Sequence, residues 1–445
     1  MQCSLRYGRG ELTITLPDDA DVHLIRKPEM PTLEDPVAAV HAAFKRPVTA
    51  SDVPTVTLKQ RAAQASSACI AICDITRPVP NHLFLRPLIE TLREAGVPAD
   101  RITIVVATGL HRPNLGPELA ELIGDPWVLE QTTIVNHDAT CDSDHVDLGK
   151  TPTRGTPVKI DRRFAQADLR IATGLVEPHF MAGYSGGRKV IAPGLAHADT
   201  IKTFHNHAFM SDPEARNCNL DENPLHQEQL EIVRMIGGAY ALNTVIDEQR
   251  QLSFVNFGEI TASHQQAVNV IGRYCRVEVP HAYDTVVTSA AGYPLDKTYY
   301  QTVKGMVGPM EILRPGGDLI IASQCSEGVG SPAFMDAQRR LTQLGPSDFL
   351  ATLAGKPLAD ADEWQSQMQT KVMQRGRIHL YSSLAAEQRM LTGVEPTEDI
   401  DATIRQSLRR HGKRSVAVIP EGPYVIPFVG DERVPPIGTT MGSAR

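Results

Sequence analysis

SACIAICDITRPVPNHLFLRPLIETLREAGVPADRITIVVATG, residues 67–109, decides the fold. It opens with an apolar run at 67–74 of strand length. A helical stretch follows, which Asn81 can cap and Gly96 ends, with Pro87 marking a kink or restart inside it. A second apolar run, RITIVVATG at 101–109, is the next strand, and DLRIATG at 168–174 is a third, shorter one. Strands alternating with helices read as a parallel, doubly wound sheet of the α/β class.

Working outward, residues 5–24 read as a hairpin with Pro17-Asp18-Asp19 at its turn, and an Ala-rich helix follows near 36–44. Residues 237–267 resemble a strand pair and then a helix. The α/β rhythm restarts near 276–283, with a strand at 285–290, a helix at 298–313, a stop at Pro315-Gly316-Gly317 and a strand at 318–323. A helix around Trp364, a strand at 377–381, a helix before Gly412 and a strand at 415–420 complete it. Two α/β domains result, residues 1–275 and 282–445.

Composition narrows the function. The chain has 445 residues, 42% hydrophobic and 22% charged, with ample material for large cores. A net charge of −8 and a pI near 6 argue against a nucleic-acid surface, which needs clustered cations. No run approaches the ~20 apolar residues of a membrane span. The seven cysteines are scattered, odd in number and without metal-ligand spacing, so reduced thiols in a cytoplasmic protein are expected. Cys69 and Cys73 read as buried, apolar-like side chains of the first strand.

The chemistry concentrates in GLVEPHFMAGYSGGRKVIAPGLAHADTIKTFHNH, residues 174–207. A core-building segment has no need for so many imidazoles, glycines and cations. The turn 183–189 superficially resembles a phosphate loop, but its glycine spacing is wrong and Val190 stands where a Mg²⁺-binding Ser or Thr should follow the lysine. Lys189 beside Arg188 should have a lowered pKa through like-charge repulsion, which suits covalent attachment; the plainer alternative is a solvated basic turn. His205 and His207 fall on an expected short helix, 199–208, and point in different directions, so they are not expected to share one metal. A single His cannot hold a transition metal alone, so further ligands must come from elsewhere, a cofactor included.

In open α/β sheets, ligands bind outside the carboxyl ends of the strands. The first strand exits into Asp74-Ile75-Thr76-Arg77-Pro78, the second into Gly109-Leu110-His111-Arg112-Pro113, and the third into Gly174-Leu175-Val176-Glu177-Pro178-His179. A carboxylate, an arginine and two histidines therefore reach one edge from separate loops. In the second domain Gln301 and Lys304, at i and i+3, share a helix face suited to a carboxylate or hydroxyl ligand; a solvent-exposed face is the alternative.

These motifs together resemble the lactate racemase family, the nickel-dependent 2-hydroxy-acid racemases and epimerases. The resemblance runs from Tyr7-Gly8-Arg9-Gly10 to Gly422-Pro423. It rests on DITRPVP at 74–80, ATGLHRP at 107–113, EPHFMAGYSGGRKVIAPG at 177–194 and GYPLDKTYYQTVKG at 292–305. It implies a cofactor and substrate cleft between the two α/β domains. Lys189 would carry a nickel pincer nucleotide, a pyridinium mononucleotide with two sulfur-bearing arms, through a thioamide bond. His205 would be the protein ligand to its Ni(II), giving the square-planar arrangement that ion prefers. Asp74, Ile75, Thr76 and Arg77 would contact the nucleotide, with Arg77 also near the substrate. His111 and His179 would be the acid/base residues. Tyr300, Gln301 and Lys304 would bind substrate, and Trp364 would line its pocket. The partners implied are a small 2-hydroxy acid and the proteins that build the cofactor, with neither nucleic acid nor membrane.

The implied reaction is racemisation of lactate or another short 2-hydroxy acid by reversible hydride transfer, with one base for each enantiomer. A larger or more acidic substrate, malate or a sugar acid, is the alternative within the same chemistry. A dicarboxylate would need another cation, for which Arg112 and Arg188 are candidates. A zinc-dependent hydrolase built on His111, His179 and His205, and a non-enzymatic sensor of 2-hydroxy acids, are readings of other classes.

Overall fold

A computed structural model describes residues 1–50 and 54–430. The chain divides into two compact units, Glu29–Ile271 in one and Met1–Pro28 with the chain from Gly272 onward in the other. Both are α/β and built on parallel sheets.

The Glu29–Ile271 unit carries a six-stranded sheet. Its order is Leu252–Glu259, Tyr240–Ile246, Leu169–Leu175, Ala68–Cys73, Ile102–Ala107 and Thr133–Asn136. All pairings are parallel except Leu252–Glu259 against Tyr240–Ile246. From Ala68–Cys73 the chain winds outward through Ile102–Ala107 to Thr133–Asn136. It then returns to lay Leu169–Leu175 on the opposite side of the first strand. The winding reverses at Ala68–Cys73, and the loops leaving the carboxyl ends on either side of that reversal must diverge. In open α/β sheets such a reversal is where ligands bind.

Burial explains why these runs are strands. Ile70, Ile72, Ile104, Val106, Ile171 and Leu242 are fully buried in one core with Phe84, Leu85, Leu88 and Leu92 of the helix Asn81–Glu94. That helix runs through Pro87 without a break. Asn81 does not cap it: its side-chain amide donates to the Leu122 carbonyl at 2.8 Å, and Pro80 holds the cap position.

The second unit has its own parallel sheet, ordered Glu395–Pro396, Gly376–Tyr381, Leu313–Ala322, Tyr283–Ser289, Ser415–Ile419 and Asp21–Leu24. Two expectations change here. Sequence alone assigns residues 1–275 to one domain, yet Asp21–Leu24 adds as a parallel edge strand to Ser415–Ile419, so the first 28 residues fold with the second unit. The hairpin is also shorter than expected. Gln2–Tyr7 pairs with Gly10–Thr15 around the Gly8-Arg9 turn, and Pro17-Asp18-Asp19 merely leads into the edge strand. Residues 431–445 of the expected second domain lie outside the described residues. Pro315-Gly316-Gly317 does not end an element but lies within the strand Leu313–Ala322.

One buried charge cluster braces this second sheet. Asp318 is fully buried in the strand Leu313–Ala322 and accepts from Arg377 Nε at 2.8 Å, Arg410 Nη1 at 2.8 and 2.9 Å, His379 Nε2 at 3.2 Å and His411 Nε2 at 3.0 Å. Burial alone would raise its pKa, but the hydrogen bonds from His379 and Arg377 and the charge of Arg410 together hold it well below the usual carboxylate range. A carboxyl held low in the folded state contributes stability above its unfolded pKa of ~4, and that contribution is lost as pH falls below it. Asp318→Ala removes the shared acceptor of two partly exposed arginines and two histidines and should destabilise the protein by about 1–3 kcal/mol. Denaturant titration checks this at pH 7, and the gap between wild type and variant should narrow toward pH 3.

Candidate functional site

The loops at the switch point carry the expected residues, held by carboxylates. From the first strand's exit, the Asp74 Oδ2 bonds His111 Nδ1 at 2.6 Å, while Oδ1 accepts from the Thr76 backbone N–H at 3.1 Å and from its hydroxyl. Burial would raise the Asp74 pKa. The charge and hydrogen bond of His111, with Thr76 and Arg77, lower it instead, so the carboxylate stays ionised. An ionised acceptor at Nδ1 fixes the neutral His111 ring as the Nδ1–H tautomer and leaves the lone pair on Nε2. The Asp74 side chain, expected to contact a nucleotide, is thus engaged by the histidine beside it.

Arg77 pairs with Glu177 from the exit of Leu169–Leu175, tying two strand ends together. Glu177 is also anchored through its backbone: its N–H donates to Ser185 Oγ at 3.1 Å, and its carbonyl accepts from the Ser185 N–H at 2.9 Å. Ser185 belongs to the glycine-rich turn, so Arg77, Glu177 and the turn form one unit. Sequence reading did not single out Glu177 for a role, although it leaves the third strand where such residues collect.

The glycine-rich turn is built by close approach. Gly183 has φ +75°, and a Cβ there would lie 2.1 Å from the Asn219 carbonyl oxygen. Gly187 has φ +50° and lies against the His264 ring, where a Cβ would come within 2.8 Å. Only glycine fits either place. The turn delivers Lys189 into the helical turn Arg188–Ile191. The Lys189 amine is pushed down to about 7, first by burial and then by the charges of Arg77 and Arg188. Repulsion from Arg188, expected to be the cause, is the smallest of the three. Arg188 itself is 1% exposed and faces inward, with Nη1 against His264 Nε2 at 2.8 Å and Nη2 donating to the Ala182 carbonyl at 2.9 Å.

His179 is buried, and its Nδ1 accepts from the N–H groups of Met181 at 3.4 Å and Ala182 at 3.2 Å. Its neutral ring therefore carries the proton on Nε2, the opposite arrangement to His111. His205 does not lie within a helix with His207. The helix Ala198–Phe204 ends at His205, and a separate one, His207–Ser211, starts after Asn206. His205 Nδ1 bonds the Ile201 carbonyl at 2.9 Å, which places the ring proton there and the lone pair on Nε2. Burial, aided by Lys189, pushes its pKa down to about 3, so the imidazole is neutral and suited to a metal.

Among the described residues no three His, Cys, Asp or Glu side chains are placed to hold a metal ion. The trio His111, His179 and His205 is therefore not a zinc site of the hydrolase kind. A neutral His beside a neutral amine instead fits a metal whose other ligands arrive on a group bound to Lys189. In the second unit, Lys304 bonds the Gln301 side-chain carbonyl across the shared helix face, and the Trp364 indole N–H donates to the Tyr300 hydroxyl at 3.3 Å. No helix among the described residues is long and apolar enough to cross a membrane.

A lysine with its amine near 7 is largely unprotonated at pH 8, where ordinary lysines at ~10.4 are almost wholly charged. Brief treatment of the apoprotein with a small acylating reagent at pH 8 should modify Lys189 first, its rate rising to a plateau just above neutrality. Peptide mass spectrometry across a pH series checks this; a rate still climbing at pH 10 would contradict it.

Comparison with known proteins identifies the family. The family model of the lactate racemase N-terminal domain matches residues 7–217, and that of the lactate racemase C-terminal domain matches residues 279–427. The lactate racemase of Lactiplantibacillus plantarum is 31% identical over 374 residues, covering 83% of this chain and 87% of its own length. That of Thermoanaerobacterium thermosaccharolyticum is 29% identical over 429 residues, covering 94% and 97%. The solved structure of the lactate racemase apoprotein from the latter organism superposes with a TM-score of 0.86 at 28% identity, covering 96% of this chain and all of that one. With both halves matched and the likeness spanning nearly the whole length, the chain belongs to the lactate racemase family and is an isomerase.

Proposed function

We propose that this chain racemises a short, singly charged 2-hydroxy acid of the lactate type, carrying a nickel pincer nucleotide on Lys189 with His205 as the protein ligand to its nickel. The observation that carries the reading is the opposed hydrogen bonding of the two histidines. His111 is held by Asp74 with its lone pair on Nε2, and His179 is held by backbone N–H groups with its proton on Nε2. A reaction that interconverts mirror-image alcohols through a planar ketone needs a proton acceptor and a proton donor around one oxygen. When bound, the nucleotide supplies an electrophilic carbon that accepts and returns hydride.

The chain's own residues do the rest. Arg77, fixed by Glu177, binds the substrate carboxylate, and Asp74, Ile75, Thr76 and Arg77 form the loop that receives the nucleotide. Tyr300, Gln301, Lys304 and Trp364 are the substrate-binding residues of the second unit. His111 Nε2 takes the hydroxyl proton from one enantiomer, and the adjacent Asp74 carboxylate stabilises the imidazolium that forms. As found, His179 can offer its Nε2–H to the oxygen only as a hydrogen bond; to give up a proton there, or to take one at Nε2, the ring must first carry a proton on Nδ1, which requires release of the contacts from the Met181 and Ala182 N–H groups at 3.4 and 3.2 Å. Maturation then depends on the proteins that build the cofactor.

Charge placement favours a monocarboxylate. Both terminal nitrogens of Arg112 bond Glu118, at 2.6 and 2.8 Å, and Arg188 faces the interior. Of the two cations considered for a second carboxylate, Arg188 is turned away from these loops, and Arg112 is held by Glu118 in a more exposed pair than the one that holds Arg77. A screen of 2-hydroxy acids with cofactor-loaded protein should show kcat/KM for lactate-sized monocarboxylates at least about 10²-fold above that for malate. A preference for malate would refute the substrate assignment.

Single variants test the roles. His111→Ala and His179→Ala should each lower racemisation by ~10²–10⁴-fold; a wild-type rate in either would exclude two acid/base residues. Lys189→Ala should lose the covalent mass adduct on material co-expressed with the cofactor-building proteins. His205→Ala should keep that adduct and lose nickel, as read by metal analysis per adduct.

A further inference from the structure

We infer that Asn114 is a positioning residue for His111, a buried carboxamide that sets the spacing between the His111 loop and the loop carrying Asp74 and Arg77. The inference rests on the acid/base role proposed for His111. Asn114 is 2% exposed and uses its amide in both senses. Its Oδ1 accepts from the Ile75 backbone N–H at 3.2 Å, one residue beyond Asp74. Its Nδ2 donates to Glu118 Oε2 at 2.9 Å. Its backbone forms a closed pair with the Asn136 carboxamide: the Asn114 N–H donates to Asn136 Oδ1 at 2.8 Å, and Asn136 Nδ2 donates to the Asn114 carbonyl at 3.0 Å. Asn136 ends the strand Thr133–Asn136.

Asn114 therefore joins the exits of three adjacent strands at one buried point. The His111 loop is pinned at its other end where the Gly109 N–H donates to the Gly194 carbonyl at 2.9 Å. Between these pins lies His111, whose ring must meet Asp74 on the neighbouring loop. Moving Ile75 relative to Asn114 moves Asp74 relative to His111, and with it the direction of the Nε2 lone pair.

The chemistry requires one acceptor and one donor at this site. Aspartate would keep the acceptor for Ile75 but set a second carboxylate against Glu118, which Arg112 holds in place. The same Glu118 Oε2 also accepts from Arg112 Nη1 at 2.6 Å, so the carboxylate cannot be exchanged for an amide to relieve that repulsion without opposing two donors.

The test uses imidazole ¹⁵N NMR on apoprotein labelled at histidine, alongside steady-state racemisation by cofactor-loaded protein. Wild-type His111 should show a single Nδ1–H tautomer with a strongly downfield Nδ1 proton. Asn114→Ala and Asn114→Asp should lose that signature and drop kcat about 10²-fold with KM unchanged, the scale of a misplacement near 1 Å. A folded Asn114→Ala that keeps the His111 signature and wild-type kcat overturns the inference. So does a folded Asn114→Asp that keeps both, and this near-isosteric arm decides the matter if the alanine variant fails to fold. Absence of racemisation in wild-type protein would count against the proposed reaction, while the spectra would still judge the clamp.

Discussion

The reversal of winding at the strand Ala68–Cys73 is the constraint on which the site depends. Because Ile102–Ala107 lies on one side and Leu169–Leu175 on the other, the loops leaving these strands part at their carboxyl ends. A parallel sheet buried on both faces cannot open anywhere else without exposing its core. Arg77 leaves one strand and Glu177 the next, and their ion pair spans the reversal. The glycine-rich turn then folds back over Glu177 through Ser185 and brings Lys189 to the place where the sheet leaves room.

Burial then sets the chemistry. Charge is costly in a low-dielectric interior, so basic groups placed there become neutral unless an anion accompanies them. Lys189 and His205 lie close enough for the charge of one to disfavour that of the other, and both are driven toward their neutral forms. A neutral amine is a nucleophile and a neutral imidazole is a ligand. His111 is the exception, more exposed and given the ionised Asp74 as partner, and that carboxylate allows it to gain a proton. One set of loops thus holds bases of two kinds, separated by whether a carboxylate lies beside them.

The carboxylates and amides do as much as the histidines. Asp74 selects the His111 tautomer, Glu177 fixes Arg77, and backbone N–H groups select the opposite tautomer in His179. Asn114 and Asn136 link the strand exits on which these groups ride. A site on loops gains the precision of a site on strands when its loops are cross-linked in this way.

The amino-acid pattern alone determined much of this protein. Apolar runs of strand length separated by helical stretches dictated two α/β domains, and the polar residues after each run marked the candidate site, because both depend on contacts near in sequence. His111, His179, Lys189 and His205 were legible as candidates in loops where a core has no use for them. Other features were decided only in three dimensions. The first 28 residues join the second unit because Asp21–Leu24 finds its partner nearly 400 residues away at Ser415–Ile419, a pairing that no local pattern encodes. Arg188, next to Lys189 in sequence, turns into the interior, so burial and Arg77 govern the amine more than the adjacent cation does. Glu177 and Asn114 were unremarkable as letters, since a carboxylate or carboxamide acquires its role from the group placed opposite it. Basicity and tautomer depend on solvent exclusion and on hydrogen-bond partners brought from other strands, and these are set by tertiary packing.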